Sequence, residues 1–445
     1  MSNHTTLMLV NTTKSAWKKI YSDIHNIEIS GFPELFNYGE ITLVNIGSVD
    51  DIKKSSFDVR YQIMDSENNT FLIRGVYKDK LGRFDLEMHL ETFSTSNHSE
   101  QSVVSLGWNQ SRTTHLFLMG DVGNYIGPDI NTESWMQDHR NILGEMTIQG
   151  LIFPGSHDAG MSVSTWSTSA VSECNTLTQS NNILEQLKLG VRYFDIRPVL
   201  SDKEFYTGHY KKIPVIGWEG ANGESMESII DGINKFTENN NELIMIRLAH
   251  SLNLDVGFFE TYRPFNQDEW TNLFDSLNKI NKLYYYNDYQ VRDMSALTLN
   301  TLTNNGTRSA VLIFLDDETF TIDFGKYSDK GFFYFGRLDV AGEYSNTDAL
   351  YEMIEDQMKK LRKNYLHYCL FYWTLTQQAA EITSCPLISS YGIKESADRA
   401  NDQLVYYLYP GYSPAIYPNI IIIDNVKDKV PAILSLAISC HLYYR

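Results

Sequence analysis

The sequence predicts an α/β fold: a (β/α)8 barrel of the TIM type preceded by an all-β sandwich. Three observations predict it. Up to about Asp129, apolar residues alternate with polar ones in short runs, the period-two pattern of strands with one buried face. Beyond about Ser134, short unbroken apolar runs alternate with longer amphipathic segments, as parallel strands do when helices cover both faces of their sheet. Between the two lies "GDVGNYIGPDINTES", a Gly/Pro/Asn/Asp stretch that reads as a linker. At 445 residues the chain is too long for one ordinary core. It divides into residues 1–130 and 135–445.

The sandwich strands are read from "FDVRYQIM", where Phe57, Val59, Tyr61 and Ile63 alternate, and from "RFDLEMHLETF", where Phe84, Leu86, Met88 and Leu90 do so. "ITLVNIG", "FLIRGVY", "VVSLGW" and "THLFLMG" add further short strands, and the expected sheets are antiparallel. Trp17 and Trp108 are read as exposed, which suits a lipid- or glycan-binding module; a plain structural appendage is the other reading. The eight barrel strands are read from "GLIFPG", "VRYFDIR", "FYTGH", "LIMIRLAH", "SAVLIFL", "GFFYFGRL", "HYCLFYWTL" and "NIIIID". The helices between them are read from "NNILEQLKLG", "ESMESIIDGINKFTE", "DEWTNLFDSLNKI" and "DALYEMIEDQMKKLRK". This span falls within the size range of a (β/α)8 barrel.

A formal net charge of -18 argues against nucleic-acid binding, which needs a basic surface. No apolar run reaches the roughly 18 residues of a membrane helix, and the first residues show no basic region followed by an apolar signal core. The expectation is a soluble chain, either cytoplasmic or secreted without a leader. Cys174, Cys369, Cys385 and Cys440 show no metal-binding spacing. Cys369 and Cys440 lie in apolar surroundings and read as buried thiols.

In such a barrel the chemistry sits at the C-terminal ends of the strands. There the sequence places His157 and Asp158 after the first run, Asp195 and Arg197 at the end of the second and His209 at the end of the third. Arg247 and His250 end the fourth, and Asp424 ends the eighth. Two histidines, an arginine and carboxylates suit phosphodiester cleavage. One imidazole takes a proton from a hydroxyl nucleophile and the other protonates the leaving oxygen. The guanidinium holds the phosphate oxygens, and the carboxylates orient the imidazoles. A metal site of His and carboxylates is the rival reading of these residue types.

"FPGSHDAGM", "LTQSNNILEQLKLGVRYFDIRP", "FYTGHY", "GESMESIIDGINKFTENNNELIMIRLAHS", "GEYSNTD" and "YWTLTQ" together resemble the PLC-like phosphodiesterases. The resemblance is in particular to the phosphatidylinositol-specific phospholipase C X domain of bacterial and fungal type. The ordered His-Asp, Asp-x-Arg and Gly-His pattern carries the resemblance. It implies that His157 is the general base for the inositol 2-hydroxyl and His209 the general acid for the diacylglycerol oxygen. It makes Arg197 the phosphate-binding arginine, Asp158 the group that orients His209, and Asp424 the carboxylate that partners His157. It also implies a phospholipid substrate met at a membrane surface by peripheral contact.

The calcium-dependent relatives place Asn after the first His and acidic ligands in the second and fourth strands. Here Arg197 stands where one such carboxylate would be, so the resemblance implies no metal and no cofactor. Asp195 is left to bind substrate or to orient Arg197, and His250 and Asp339 are candidate head-group contacts. The fifth run departs from the family in ending on Asp316 and Asp317, where the bacterial enzymes hold the inositol with basic residues. Trp166, Trp218 and Tyr210 flank the motifs as candidates for a lipid-facing rim. Two alternatives stay open: a phosphodiesterase for a sphingolipid or lysophospholipid with a magnesium site, and a non-catalytic lipid-binding or toxin-like protein.

Overall fold

The computed structural model describes residues 4–48, 52–109, 112–169, 171–213, 217–257, 261–286, 293–316, 322–378, 392–427 and 430–442. The chain forms two compact units, Met1–Asn131 with Ser435–Arg445, and Thr132–Leu434. The assignment of Ser435–Arg445 to the first unit has no counterpart in the sequence pattern.

The first unit holds two sheets. Four strands pair in the order Thr113–Gly120, His4–Thr13, Ile41–Ser48, Ile27–Ser30, and six in the order Leu35–Phe36, Trp17–His25, Ser56–Ile63, Thr70–Lys78, Arg83–Leu90, Val103–Gly107. The alternation in "FDVRYQIM" does what it predicts: Phe57, Val59, Tyr61 and Ile63 are buried and their neighbours are not. These residues share one apolar cluster with Leu7, Leu9, Val44, Ile46, Leu116 and Leu118 of the other sheet, so the sheets pack face to face around a common core. The pairing is antiparallel except between His4–Thr13 and Thr113–Gly120, which run parallel. The first of these strands lies in a segment the sequence pattern did not mark.

Trp17 is not exposed. It is fully buried, with Phe36 and Phe71 edge-on at 5.3 and 5.0 Å. Its indole N–H donates to Thr13, which removes the cost of burying that group. Trp108 is partly buried and packs edge-on against Phe84. A lone Trp beside polar residues gives no periodic signal, so sequence alone could not place either ring.

The second unit is built on an eight-stranded sheet in the order Phe332–Tyr334, Ala310–Leu315, Leu243–Leu248, Tyr193–Ile196, Phe153–Ser156, Ile420–Ile423, Tyr368–Trp373, Val340–Ala341. All its pairings are parallel. The first strand lies between the second and the last, as in a barrel. Among the described residues no ladder joins Phe332–Tyr334 to Val340–Ala341, so the sheet is curled and stays open at that seam. The expected helices cover it: Ile183–Lys188, Met226–Thr237, Gln267–Leu277 and Leu350–Asn364. Asn182, Ser225 and Asn266 cap the first three through their side chains, and Asn266 with Glu269 closes a capping box.

One expected barrel strand lies elsewhere. "FYTGH" belongs to Glu204–Ile213, in a separate five-stranded sheet ordered Trp166–Ser167, Gly217–Ser225, Glu204–Ile213, Pro198–Ser201, Leu252–Asn253. Its two neighbours there are antiparallel. The sequence explains why: this strand has exposed and half-buried positions along most of its length, whereas barrel strands such as Tyr193–Ile196 and Ala310–Leu315 are buried throughout. Tyr193–Ile196 and Leu243–Leu248 pair directly instead, and the eighth parallel strand is Val340–Ala341 at the edge beside Tyr368–Trp373, too short at two residues to show as an apolar run.

At the N-terminal ends of the parallel strands, Arg192 and Glu242 form an ion pair at 3.0 Å with both side chains fully buried. Arg192 also donates to the carbonyls of Leu187, Val191, Thr132 and Glu133 and lies over the Phe236 ring. Glu242 accepts from the backbone N–H groups of Met136 and Gln137. The pair thus binds two strand starts to the segment that opens the unit.

Cys369 and Cys440 are free and buried, as expected. Cys174 is disulfide-bonded, and Cys385 lies outside the described residues. No helix among the described residues is long and apolar enough to cross a membrane.

Glu242→Ala leaves the Arg192 charge buried without its partner. It should lower the unfolding free energy by about 3–5 kcal/mol, read from urea unfolding followed by tryptophan fluorescence.

Candidate functional site

The site forms at the C-terminal ends of the parallel strands. His157 follows Ser156, the last residue of the first strand, and Asp424 follows Ile423 of the adjacent last strand. That adjacency brings residues 267 positions apart together: His157 Nδ1 lies 2.8 Å from Asp424 Oδ1. The other ring nitrogen, Nε2, lies 2.7 Å from Nη2 of Arg197. A guanidinium only donates, so Nε2 accepts and the proton sits on Nδ1, facing the carboxylate. His157 is thereby held in one tautomer, with its lone pair aimed at Arg197.

Asp158 turns the other way. Its backbone is left-handed, with φ at 42°, a conformation Asp adopts more readily than most residues. Its side chain is fully buried, and Oδ2 lies 2.6 Å from His209 Nδ1 and 3.5 Å from Arg197 Nη1. Gly160, two residues on, permits this approach: a Cβ there would sit 2.4 Å from the Thr207 side chain, on the strand that delivers His209. His209 therefore reaches the site from the separate five-stranded sheet rather than from a barrel strand, and its Nδ1 meets Asp158 there.

Arg197 is the common element. It contacts His157, Asp158, Asp195 at 3.5 Å, and the Tyr344 hydroxyl at 3.1 Å. Asp195 lies fully buried, bridging Arg197 to Arg247 at 3.2 Å and accepting from the Asp158 N–H. It orients the two guanidiniums and does not line the cavity, so its expected place among substrate contacts does not hold. Arg247 makes two bonds to Asp316, at 2.8 and 2.6 Å, and one to the Tyr372 hydroxyl at 3.3 Å.

Beside this cluster opens a cavity of about 430 Å³. Arg197, Arg247, His250, Asp316 and Tyr344 form its polar side, and Val199, Tyr210, Trp218, Leu252 and Pro264 its apolar side. His250, a candidate head-group contact in the sequence, lines this cavity. Trp218 and Tyr210 line it too, with their polar ends turned to Tyr262 O and Asn222, while Trp166 is exposed. Asp339 is not at the site. It sits in a left-handed turn just before Val340–Ala341, exposed and bonded to His367, at the N-terminal end of its strand. Asp317 lies outside the described residues.

Sequence reasoning missed Tyr344, Tyr372 and Gln179. Gln179 donates to the His157 carbonyl and accepts from the Val426 N–H, binding the loops that carry His157 and Asp424. Tyr372 hides in an apolar run that reads as core, and Tyr344 sits in a loop without periodicity. The stretch "GEYSNTD" was the one available signal for it.

Burial works against every charge here, and the neighbours decide the outcome. For His157, burial pushes the pKa down, but the Asp424 charge and hydrogen bond outweigh it and the net shift is upward, with Arg197 opposing. For Asp158 and Asp195, burial pushes up and the Arg197 charge brings both below the ordinary carboxylate range. His250 is lowered by burial and by Arg197. Among the described residues, no group of three or more His, Cys, Asp and Glu side chains is arranged to hold a metal ion.

No family model matches the chain. A PI-PLC X domain-containing protein of Dictyostelium discoideum is 25% identical over 189 residues, covering 38% of this chain and 30% of that protein. Its name carries the domain that the sequence motifs resemble. The match spans about a third of the relative's length. Among solved structures, the phosphatidylinositol-specific phospholipase C from Listeria monocytogenes superposes with a TM-score of 0.45 at 15% identity, covering 69% of this chain and 99% of that one. The F249X mutant of the Staphylococcus aureus enzyme of the same name gives 0.47 at 15% identity, covering 68% and 97%.

Asp424→Asn removes the main influence that raises the His157 pKa and leaves burial and Arg197 to act. The His157 titration, followed by NMR of its ring protons, should move to lower pH, toward or below the ordinary value of about 6.5.

Proposed function

We propose that the chain is a phospholipase C-type phosphodiesterase that cleaves phosphatidylinositol to diacylglycerol and a cyclic inositol phosphate at a membrane surface. The observation that carries this reading is the pairing of two imidazoles with two buried carboxylates around one guanidinium: His157 with Asp424, His209 with Asp158, and Arg197 touching His157 and Asp158.

In this reading the lipid phosphate draws Arg197 from His157 and takes its donors onto the non-bridging oxygens. Nε2 of His157 is then free to accept the proton of the inositol 2-hydroxyl while that oxygen attacks phosphorus. Asp424 stabilises the imidazolium that forms. His209, held through Nδ1 by Asp158, turns Nε2 toward the leaving oxygen and gives it a proton as the bond from phosphorus to the diacylglycerol oxygen breaks. Arg197 offsets the charge that develops on the phosphoryl oxygens, so the step needs no metal ion. The aromatic and apolar side of the cavity suits the ring of a polyol head group, and Arg247 with Asp316 and His250 supplies hydroxyl partners.

Phosphorus NMR of the water-soluble product, with phosphatidylinositol in mixed micelles and EDTA present, should show a cyclic inositol phosphate. His157→Ala and His209→Ala should each lower turnover by roughly 10²–10⁴-fold with an unchanged circular dichroism spectrum. Full activity in both variants refutes the acid–base assignment. Silence with EDTA, followed by turnover of another phospholipid when magnesium or calcium is added, refutes the substrate and the metal-free chemistry together.

A further inference from the structure

Tyr344 has no part in the acid–base scheme, yet it touches two members of the site. Its hydroxyl lies 3.1 Å from Arg197 Nη2, the same nitrogen that lies 2.7 Å from His157 Nε2. Its ring meets the His157 ring edge-on at 5.4 Å. On its other side it packs against Tyr372 with centroids 4.3 Å apart, and the Tyr372 hydroxyl lies 3.3 Å from Arg247. Burial pushes the Tyr344 hydroxyl above its ordinary pKa, so it stays neutral and accepts from the arginine.

We propose that Tyr344 is a positioning residue: its hydroxyl fixes the guanidinium of Arg197 against the base nitrogen of His157, so that the arginine both guards that lone pair before substrate arrives and meets the phosphate in a set orientation. The inference rests on the phosphodiesterase reading and adds to it a residue that acts through Arg197.

The geometry supports this role for the hydroxyl in particular. Arg197 Nη1 has Asp158 at 3.5 Å and Nη2 has Asp195 at 3.5 Å, both longer than a hydrogen bond. The Nε nitrogen of Arg197 is buried without a partner. The close contacts that set where this guanidinium points are therefore those of Nη2 with His157 and with Tyr344. The tilted contact between the two tyrosines backs that anchor, because Tyr344 rests on a ring from the seventh strand, Tyr372, which is itself buried. Asp195 links Arg197 to Arg247 from below, and the tyrosine pair links the same two arginines from the other side.

The test compares Tyr344→Phe with the parent protein by two readouts. The first is kinetics on phosphatidylinositol micelles. Loss of the hydroxyl alone should lower kcat by roughly 10- to 100-fold, as expected for a misplaced charge-stabilising group, while KM changes by less than about twofold. A rise in KM with kcat unchanged makes Tyr344 a substrate contact and overturns the proposal. The second readout is the NMR titration of His157, whose resonance is identified by its loss in His157→Gln. The charged and titratable groups facing that ring are Asp424, Asp195, Arg197 and Asp158. With Arg197 released from Tyr344, its opposition to protonation weakens, and the His157 titration should move to higher pH. An unchanged titration overturns the proposal. The titration does not depend on substrate, so a parent protein inactive on phosphatidylinositol would refute the function while the NMR result still decides the role of Tyr344.

Discussion

A permanently charged guanidinium, that of Arg197, lies almost out of reach of water, and the site is organised around that constraint. A buried cation is stable only with partners. Arg197 answers with two carboxylates, an imidazole lone pair and a phenol. Those partners set the rest. Asp158 and Asp195 stay ionised because the arginine is there, an ionised Asp158 can hold His209, and Asp195 can hold Arg247. The accepting lone pair of His157 fixes its tautomer and hence its bond to Asp424. Remove the positive charge and each of these arrangements loses its reason.

The parallel sheet keeps such charges at both of its ends and apolar side chains between. At the N-terminal ends the Arg192–Glu242 pair has every donor and acceptor engaged with backbone or with its partner, so nothing is left over for a ligand. At the C-terminal ends Arg197 Nε and Asp158 Oδ1 are buried without partners. One end is closed in hydrogen-bonding terms and serves structure. The other carries unspent capacity beside a cavity, which is where a polar substrate would be received.

The sequence made legible whatever depends on periodicity and on order along the chain. Unbroken apolar runs located seven of the parallel strands, and the family resemblance, applied to the end of the last run, paired Asp424 with His157; the adjacency of the first and last strands brings the two together. Motif spacing assembled His157, Asp158, Arg197 and His209 although their strands were assigned imperfectly. What stayed hidden has physical reasons. An apolar run cannot say which sheet it joins, so "FYTGH" was given to the barrel. A two-residue strand, Val340–Ala341, leaves no pattern. Asp339 and Asp195 are both carboxylates near strand ends, yet one lies before its strand and the other inside its strand, a difference of polarity that residue type does not express. Tyr344 acts through one hydroxyl from a loop, where no periodic signal exists. Trp17 is buried because its N–H finds Thr13, a contact no composition reveals.

Asp158 is selected twice, once by its backbone and once by its charge. The left-handed turn at φ 42° is open to Asp, Asn and Gly and strains most other residues, while Arg197 and His209 require an anion. Glutamate would keep the anion and strain the turn; asparagine would keep the turn and drop the anion. Aspartate alone meets both demands, the turn and the buried charge. A change to asparagine here would alter the charge beside Arg197 and His209 while keeping the shape of the turn.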